Sequence, residues 1–204
     1  MTQYIINLST EEISSRLSKA TDTPSDITFP SGLFNHDPRP AAVLIPFLRK
    51  EGEWHVLFTR RTDTLPEHSG QVAFPGGRTD PQDSSPISTA LREAYEEINL
   101  KPDAVEILGN LKRLPTVTNY CVTPIVGAIP WPYEFSLKKE EVSKIFTIPL
   151  KWLCDPKNHK IQQRSFSMPN KSIPVVYFKK YDGELLWGVS ARITINLLKT
   201  LNLL

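Results

Sequence analysis

Cysteine is scarce: Cys121 and Cys154 are the only two among 204 residues. They stand apart, with no C-x-x-C pair and no zinc-type His/Cys spacing. That excludes a disulfide framework and a Cys-based metal site, and leaves two reduced, partly buried thiols. Long apolar runs are missing too. None approaches the ~18 residues that a membrane span requires, and the opening MTQYIINLSTEE lacks the basic and apolar regions of a signal peptide. The expectation is a soluble, cytoplasmic chain with no membrane partner. Neither sign of charge dominates. The formal net charge is +2, which argues against a nucleic-acid footprint or a polybasic membrane surface. With 40% hydrophobic and 23% charged residues, disorder is not expected except at the edges, and the length suits one domain.

Proline, in contrast, is plentiful. The 18 prolines are scattered and many flank apolar runs, a pattern of short elements joined by tight loops. Residues 8–20 carry a helix start: Ser9 and Glu12 form a capping box, and Leu8 and Ile13 a hydrophobic staple. The stretch 21–39 reads as an extended connection. Ala41–Leu48 and Trp54–Arg60 read as a hairpin around a polar turn. Gln71–Phe74 is a short strand running into Pro75-Gly76-Gly77. Further strands are expected at Val105–Leu114, Tyr120–Ile129, Lys144–Ile148, Ile161–Met168, Ile173–Phe178 and Glu184–Val189. A helical turn suits Leu150–Cys154, and apolar spacing over Ser190–Leu204 predicts a terminal helix. The class is therefore mixed α and β in layers.

The chemistry sits in residues 76–100, GGRTDPQDSSPISTALREAYEEINL. Ser85 as N-cap and Pro86 at the first position predict a helix over 86–98. Asn99, suited to a left-handed terminus, would end it. Ile87, Leu91, Ala94 and Ile98 define its expected buried face. Glu93, Glu96 and Glu97 are neighbours at three- and four-residue steps. Carboxylates so close repel one another unless a hard, oxygen-seeking cation such as magnesium or manganese joins them. Arg92 is placed to orient a carboxylate, and Gly76-Gly77 permits close approach of the backbone to a metal or phosphate.

This segment resembles the Nudix box, G-x5-E-x7-R-E-U-x-E-E-x-G-U with U aliphatic. Arg92, Glu93, Glu96, Glu97 and Leu100 fall on the pattern, and Ala94 holds the first U position. Three departures are visible: one extra residue between Gly77 and Arg92, Asp83 or Asp80 at the early Glu, and Asn99 at the late Gly. The preceding LFTRRTDTLPEHSGQVAFPGG (residues 57–77) is similar to the signature of the coenzyme A diphosphatase branch. So are the D-P-x-D loop at Asp80–Asp83, YCVTPIVGAIP from Tyr120, EVSKIFTIPL from Glu141 and WGVSAR from Trp187. Pro66-Glu67 depart from that branch, whose members often carry a basic residue there.

The resemblance implies an α/β/α sandwich with a mixed sheet and the box helix packed on it. It would comprise a domain at 41–204, with an N-terminal helix and connection at 1–40 packed against it. It implies Mg2+ or Mn2+ held by Glu93 and Glu97, with Glu96 reaching a second ion through water and Gly77 lending a carbonyl. Arg92 would orient Glu96. The catalytic set is thus Glu96, Glu141 and Arg92, with Glu141 or its neighbour Glu140 as proton acceptor. Arg60, Arg61, His68 and Gly76 would meet substrate phosphates. Coenzyme A is the leading substrate, split to 4′-phosphopantetheine and adenosine 3′,5′-bisphosphate. ADP-ribose, NADH, another dinucleotide or a capped RNA end are the alternatives, followed by a non-catalytic ligand sensor. No long nucleic acid is expected as partner, and a homodimer is left open. Trp187 and Tyr177 are expected in the core, and Lys138, Lys139, Lys179 and Lys180 in solvent.

Overall fold

The computed structural model describes residues 6–19, 37–64, 69–165 and 172–204. Its centre is β1 (Arg39–Lys50), an apolar strand. It turns back on β2 (Glu53–Arg61), pairs antiparallel with β4 (Gly76–Arg78), and lies parallel to β7 (Tyr120–Ala128). The parallel pair makes the sheet mixed. Outside β2 run β3 (Val72–Ala73) and β8 (Val142–Pro149), and outside β7 run β5 (Glu106–Asn110) and β6 (Leu114–Pro115). A separate antiparallel sheet holds β9 (His159–Ser165), β10 (Ser172–Tyr181) and β11 (Glu184–Trp187).

Side chains on successive strand residues point to opposite faces, and β1 is buried on both. Ala42, Leu44 and Leu48 join one apolar cluster, while Ile45 and Phe47 join the other. The first cluster is covered by α2 (Pro86–Ile98) through Ala90, Ala94 and Ile98. The second is covered by α1 (Thr10–Lys19), α3 (Leu150–Leu153), α4 (Gly188–Thr200) and one face of the small sheet, through residues such as Leu17, Leu153, Leu197 and Phe178. The chain is the expected α/β sandwich, with a second small sheet sharing its outer layer. Helix α1 has the expected cap: the Ser9 amide donates to Glu12 Oε2 at 2.8 Å, and the Glu12 amide to Ser9 Oγ at 3.2 Å. Ten residues are too few to hold a helix alone. The fully buried Ile13 and Leu17 supply the rest, at about 1.5–3 kcal/mol each.

Most boundaries differ from the sequence reading by a residue or more, and three differences change the layout. The strand expected over Val105–Leu114 is two, β5 and β6, separated at residues 111–113. The strand expected to reach Val189 stops at Trp187, because Gly188 takes φ +68 and starts α4 two residues before Ser190. Helix α4 ends at Thr200 rather than Leu204. Strands β9 and β10 pair antiparallel, with Ser165 opposite Ser172. The connection at 21–39 falls mostly outside the described residues.

Candidate active site

Helix α2 is seated by its caps. Ser85 Oγ accepts the Ser88 amide at 3.1 Å and Ser88 Oγ accepts the Ser85 amide at 2.9 Å, with Pro86 next and Asn99 left-handed at the far end. Its inward stripe is Ala90, Ala94, Glu97 and Ile98. The expected stripe through Ile87 is corrected, since Ile87 is 39% exposed. Two alanines let the helix lie close on β1, and that rotation carries Glu97 inward with them. Glu97 is 3% exposed.

Burying a carboxylate disfavours its charged form. For Glu97 that burial, together with the nearby charges of Glu93 and Glu141, pushes the pKa up to about 8 against the pull of Arg61. Few donors reach it: Gly76 N–H lies 3.4 Å from Oε2, and Arg61 Nη1 lies 3.8 Å from Oε1. Arg61 Nε is buried with no hydrogen-bond partner among the described residues. Glu93 is also raised, by burial first, opposed by Arg92. Its carboxyl rests on Gly77, where an added Cβ would stand 2.5 Å from Glu93 Cδ. Glycine at 77 thus gives Glu93 its place.

Arg92 is the hub of the outer side. Its fork donates to Asp83 Oδ1 at 3.0 Å and Oδ2 at 2.9 Å, to the Arg78 carbonyl at 3.0 Å, and to Glu93 Oε1 at 3.0 Å. Glu96 is a lesser partner at 3.3 Å, its side chain nearly half exposed. Asp83 therefore takes the early acidic position, six residues beyond Gly77. Asp80 stands off at 3.8 Å. The extra residue lies between Asp83 and Arg92, where a side chain one methylene shorter than Glu still reaches the fork. Arg92 holds the Asp83 carboxyl down at about 2.

The loop after β7 brings in Glu141. The Thr62 amide bonds its carbonyl at 3.0 Å, and its charge raises both Glu93 and Glu97. Glu140 is exposed. Lys138 is exposed, as expected, and pairs with Glu141 at 2.6 Å. A spacing of three residues across a turn was the only sequence sign of that pair. Arg60 and Arg61 part company because they are consecutive in β2. Arg61 faces Glu97. Arg60 is taken up by Asp63 at 2.7 Å, Ser143 at 3.1 Å and Glu184 at 3.5 Å. Pro66, Glu67 and His68 lie outside the described residues. Tyr177 and Trp187 are corrected: both are half-buried and stacked on each other, with centroids 5.7 Å apart, because β10 and β11 place them opposite one another.

The arrangement gathers Glu93, Glu97 and Glu141 beside Arg61 at the end of β2. No three His, Cys, Asp or Glu side chains among the described residues form a ready-made metal cage. Magnesium does not need one, since it usually binds through one or two carboxylates and keeps waters and phosphates. Buried like charges with few donors, all of them hard oxygens, fit such an ion.

The NUDIX domain family matches residues 38–169. The uncharacterized Nudix hydrolase NudL of Yersinia pestis (strain Pestoides F) is 38% identical over 194 residues, covering 95% of each chain. NudL of Yersinia pseudotuberculosis serotype O:1b (strain IP 31758) matches to the same extent. Among solved structures, a MutT/nudix family protein from Enterococcus faecalis aligns with TM-score 0.51 at 12% identity, over 97% of this chain and 74% of that one. The Nudix hydrolase RenU from M. smegmatis aligns with TM-score 0.50 at 17% identity, over 64% and 84%. Both share the fold. With more than half of its length matched and the R-E-x-x-E-E helix seated against the glycine strand, the chain belongs to the Nudix family and is a Nudix hydrolase.

Proposed function

We propose that the chain is a metal-dependent diphosphohydrolase of small nucleotide-derived molecules, with coenzyme A as substrate. The carrying observation is Glu97, buried in the neighbourhood of Glu93 and Glu141 and only loosely attended by Arg61, whose Nη1 lies 3.8 Å from Oε1. Glu93 and Glu97 would hold magnesium or manganese, with the Gly77 carbonyl beside them and Glu96 at the exposed rim. The bound ion would supply neutralisation of charge on the diphosphate oxygens and a more acidic water. Arg61 offers its fork to a phosphate, a match of planar donors to oxygens, whereas the glycine at 76 makes room for β1, since an added Cβ would meet the Ala42 carbonyl and Val43 Cα. Arg92, clamped by Asp83, keeps Glu93 in place. Glu141 takes the proton from the attacking water. Coenzyme A rests on the likeness of residues 57–77 and the later segments to the diphosphatase branch.

One observation favours a second reading, another nucleoside diphosphate-X such as ADP-ribose or NADH. Arg60, one of the basic groups in the branch signature, is spent on Asp63 and Glu184. Turnover of coenzyme A, ADP-ribose and NADH with magnesium or manganese separates the readings, with Glu97→Gln as control. Coenzyme A cleavage lost in the variant supports the first reading. Cleavage of another compound alone supports the second. No cleavage at either metal overturns both and turns attention to a ligand sensor.

A further inference from the structure

The loop between β7 and β8 ends in a turn, Lys138–Glu141, fastened on several sides. The Lys138 amide donates to the Glu97 carbonyl at 2.9 Å, and the Glu141 and Val142 amides donate to the Lys138 carbonyl at 2.8 and 2.9 Å. The Thr62 amide bonds the Glu141 carbonyl, and Thr62 Oγ1 the Glu140 carbonyl at 3.1 Å. One turn therefore joins the end of α2 that carries Glu97 to the end of β2 that carries Arg61. From that turn Lys138 Nζ reaches Glu141 Oε1 at 2.6 Å.

We infer that Lys138 is a positioning residue for the hydrolysis, fixing the Glu141 carboxylate by one oxygen and leaving the other for the proton of the attacking water. The inference rests on Glu141 being the proton acceptor. Its necessity is geometric: Glu141 stands beside Glu93 and Glu97 with about a third of its side chain exposed, so packing alone does not direct the carboxylate. The backbone bonds fix the Glu141 main chain but not its carboxylate. Lys138 is the cation that engages that carboxylate, and its own side chain is free of Glu93 and Glu97. An exposed pair three residues apart contributes little to stability, so its value lies in direction rather than folding.

The test is steady-state turnover of coenzyme A and of ADP-ribose with magnesium, for Lys138→Met, Lys138→Arg, Glu141→Gln and the Lys138→Met/Glu141→Gln pair, with thermal midpoints. Lys138→Met should lower kcat about three- to fivefold, in keeping with the strength of an exposed pair, with KM and midpoint nearly unchanged. Lys138→Arg should restore most of the loss. With Glu141→Gln already present, Lys138→Met should change kcat less than about twofold, because the two act as one unit. Unchanged kcat in Lys138→Met, a rise in KM alone, or an equal loss in the Glu141→Gln background overturns the inference. Full activity in the single Glu141→Gln variant overturns the proton-acceptor reading itself, a result visible without altering Lys138.

Discussion

Gly76 and Gly77 are consecutive, and alanine at each should fail in a different way. At Gly77 the backbone is outside the left-handed region, so alanine is conformationally allowed. Its Cβ, however, would lie 2.5 Å from Glu93 Cδ and Oε1. Ordinary contact begins near 3.4 Å, so the carboxylate must retreat by about 0.9 Å (3.4 less 2.5). A misplacement of ~1 Å at a reacting site costs about 10²-fold in rate, equivalent to ~2.7 kcal/mol of transition-state stabilisation. Folding should change by only ~1 kcal/mol, since glycine to alanine at an allowed position also removes freedom from the unfolded chain. At Gly76 the added Cβ meets backbone instead: the Ala42 carbonyl at 2.5 Å and Val43 Cα at 2.6 Å, at φ +155. Strain and overpacking together should cost at least ~2 kcal/mol of stability. The assay is kcat/KM with magnesium on whichever diphosphate is cleaved, beside urea unfolding. Gly77→Ala should lose activity and keep its midpoint, while Gly76→Ala should lose its midpoint. A Gly77→Ala enzyme within about threefold of the parent would refute the placing of Glu93 by that glycine.

Asp83 has a lowered folded pKa, about 2, so it adds stability above its ordinary value of 3.8 that is lost as pH falls from about 4 toward 2. Asp83→Asn should flatten that part of an acid-unfolding curve, and an unaltered curve would count against the Arg92 clamp. Glu97 has the opposite sign: its folded pKa, raised from 4.5 to about 8, makes the metal-free chain lose stability as pH rises through that window. Glu97→Gln should therefore raise the midpoint of the metal-free protein at pH ~8 while abolishing turnover. A lower midpoint contradicts the burial argument. Leu17→Ala should cost about 2–5 kcal/mol by urea unfolding with kcat intact, and a loss below ~1 kcal/mol would mean that α1 is not part of the core.

Much of α2 was legible because its ends are punctuated: Ser85 and Pro86 start it and Asn99 stops it. Which stripe faces inward was legible only in part: Ala94 and Ile98 are buried as expected, but Ile87 outweighs Ala90 in hydrophobicity and only the nearness of β1 favours the smaller residue. Arg60 and Arg61 show a second limit. Alternation along a strand says that they face opposite ways, yet which of them meets Glu97 is decided by the side of the sheet that α2 covers. Pairs made across a loop or between strands, such as Lys138 with Glu141 and Tyr177 with Trp187, leave no periodic trace at all. The acidic constellation itself was readable because Glu93, Glu96 and Glu97 owe their closeness to one helix.

The central sheet separates two apolar clusters, and only one of them touches α2. Changes beneath α1 and α4 therefore act on folding free energy at a remove from the carboxylates, and their effects should add to those of site substitutions rather than couple with them. The larger part of the interior is in this sense mutationally insulated: stabilising substitutions can be gathered there, and drift there tolerated, while the spacing of Glu93, Glu97 and Glu141 is left alone.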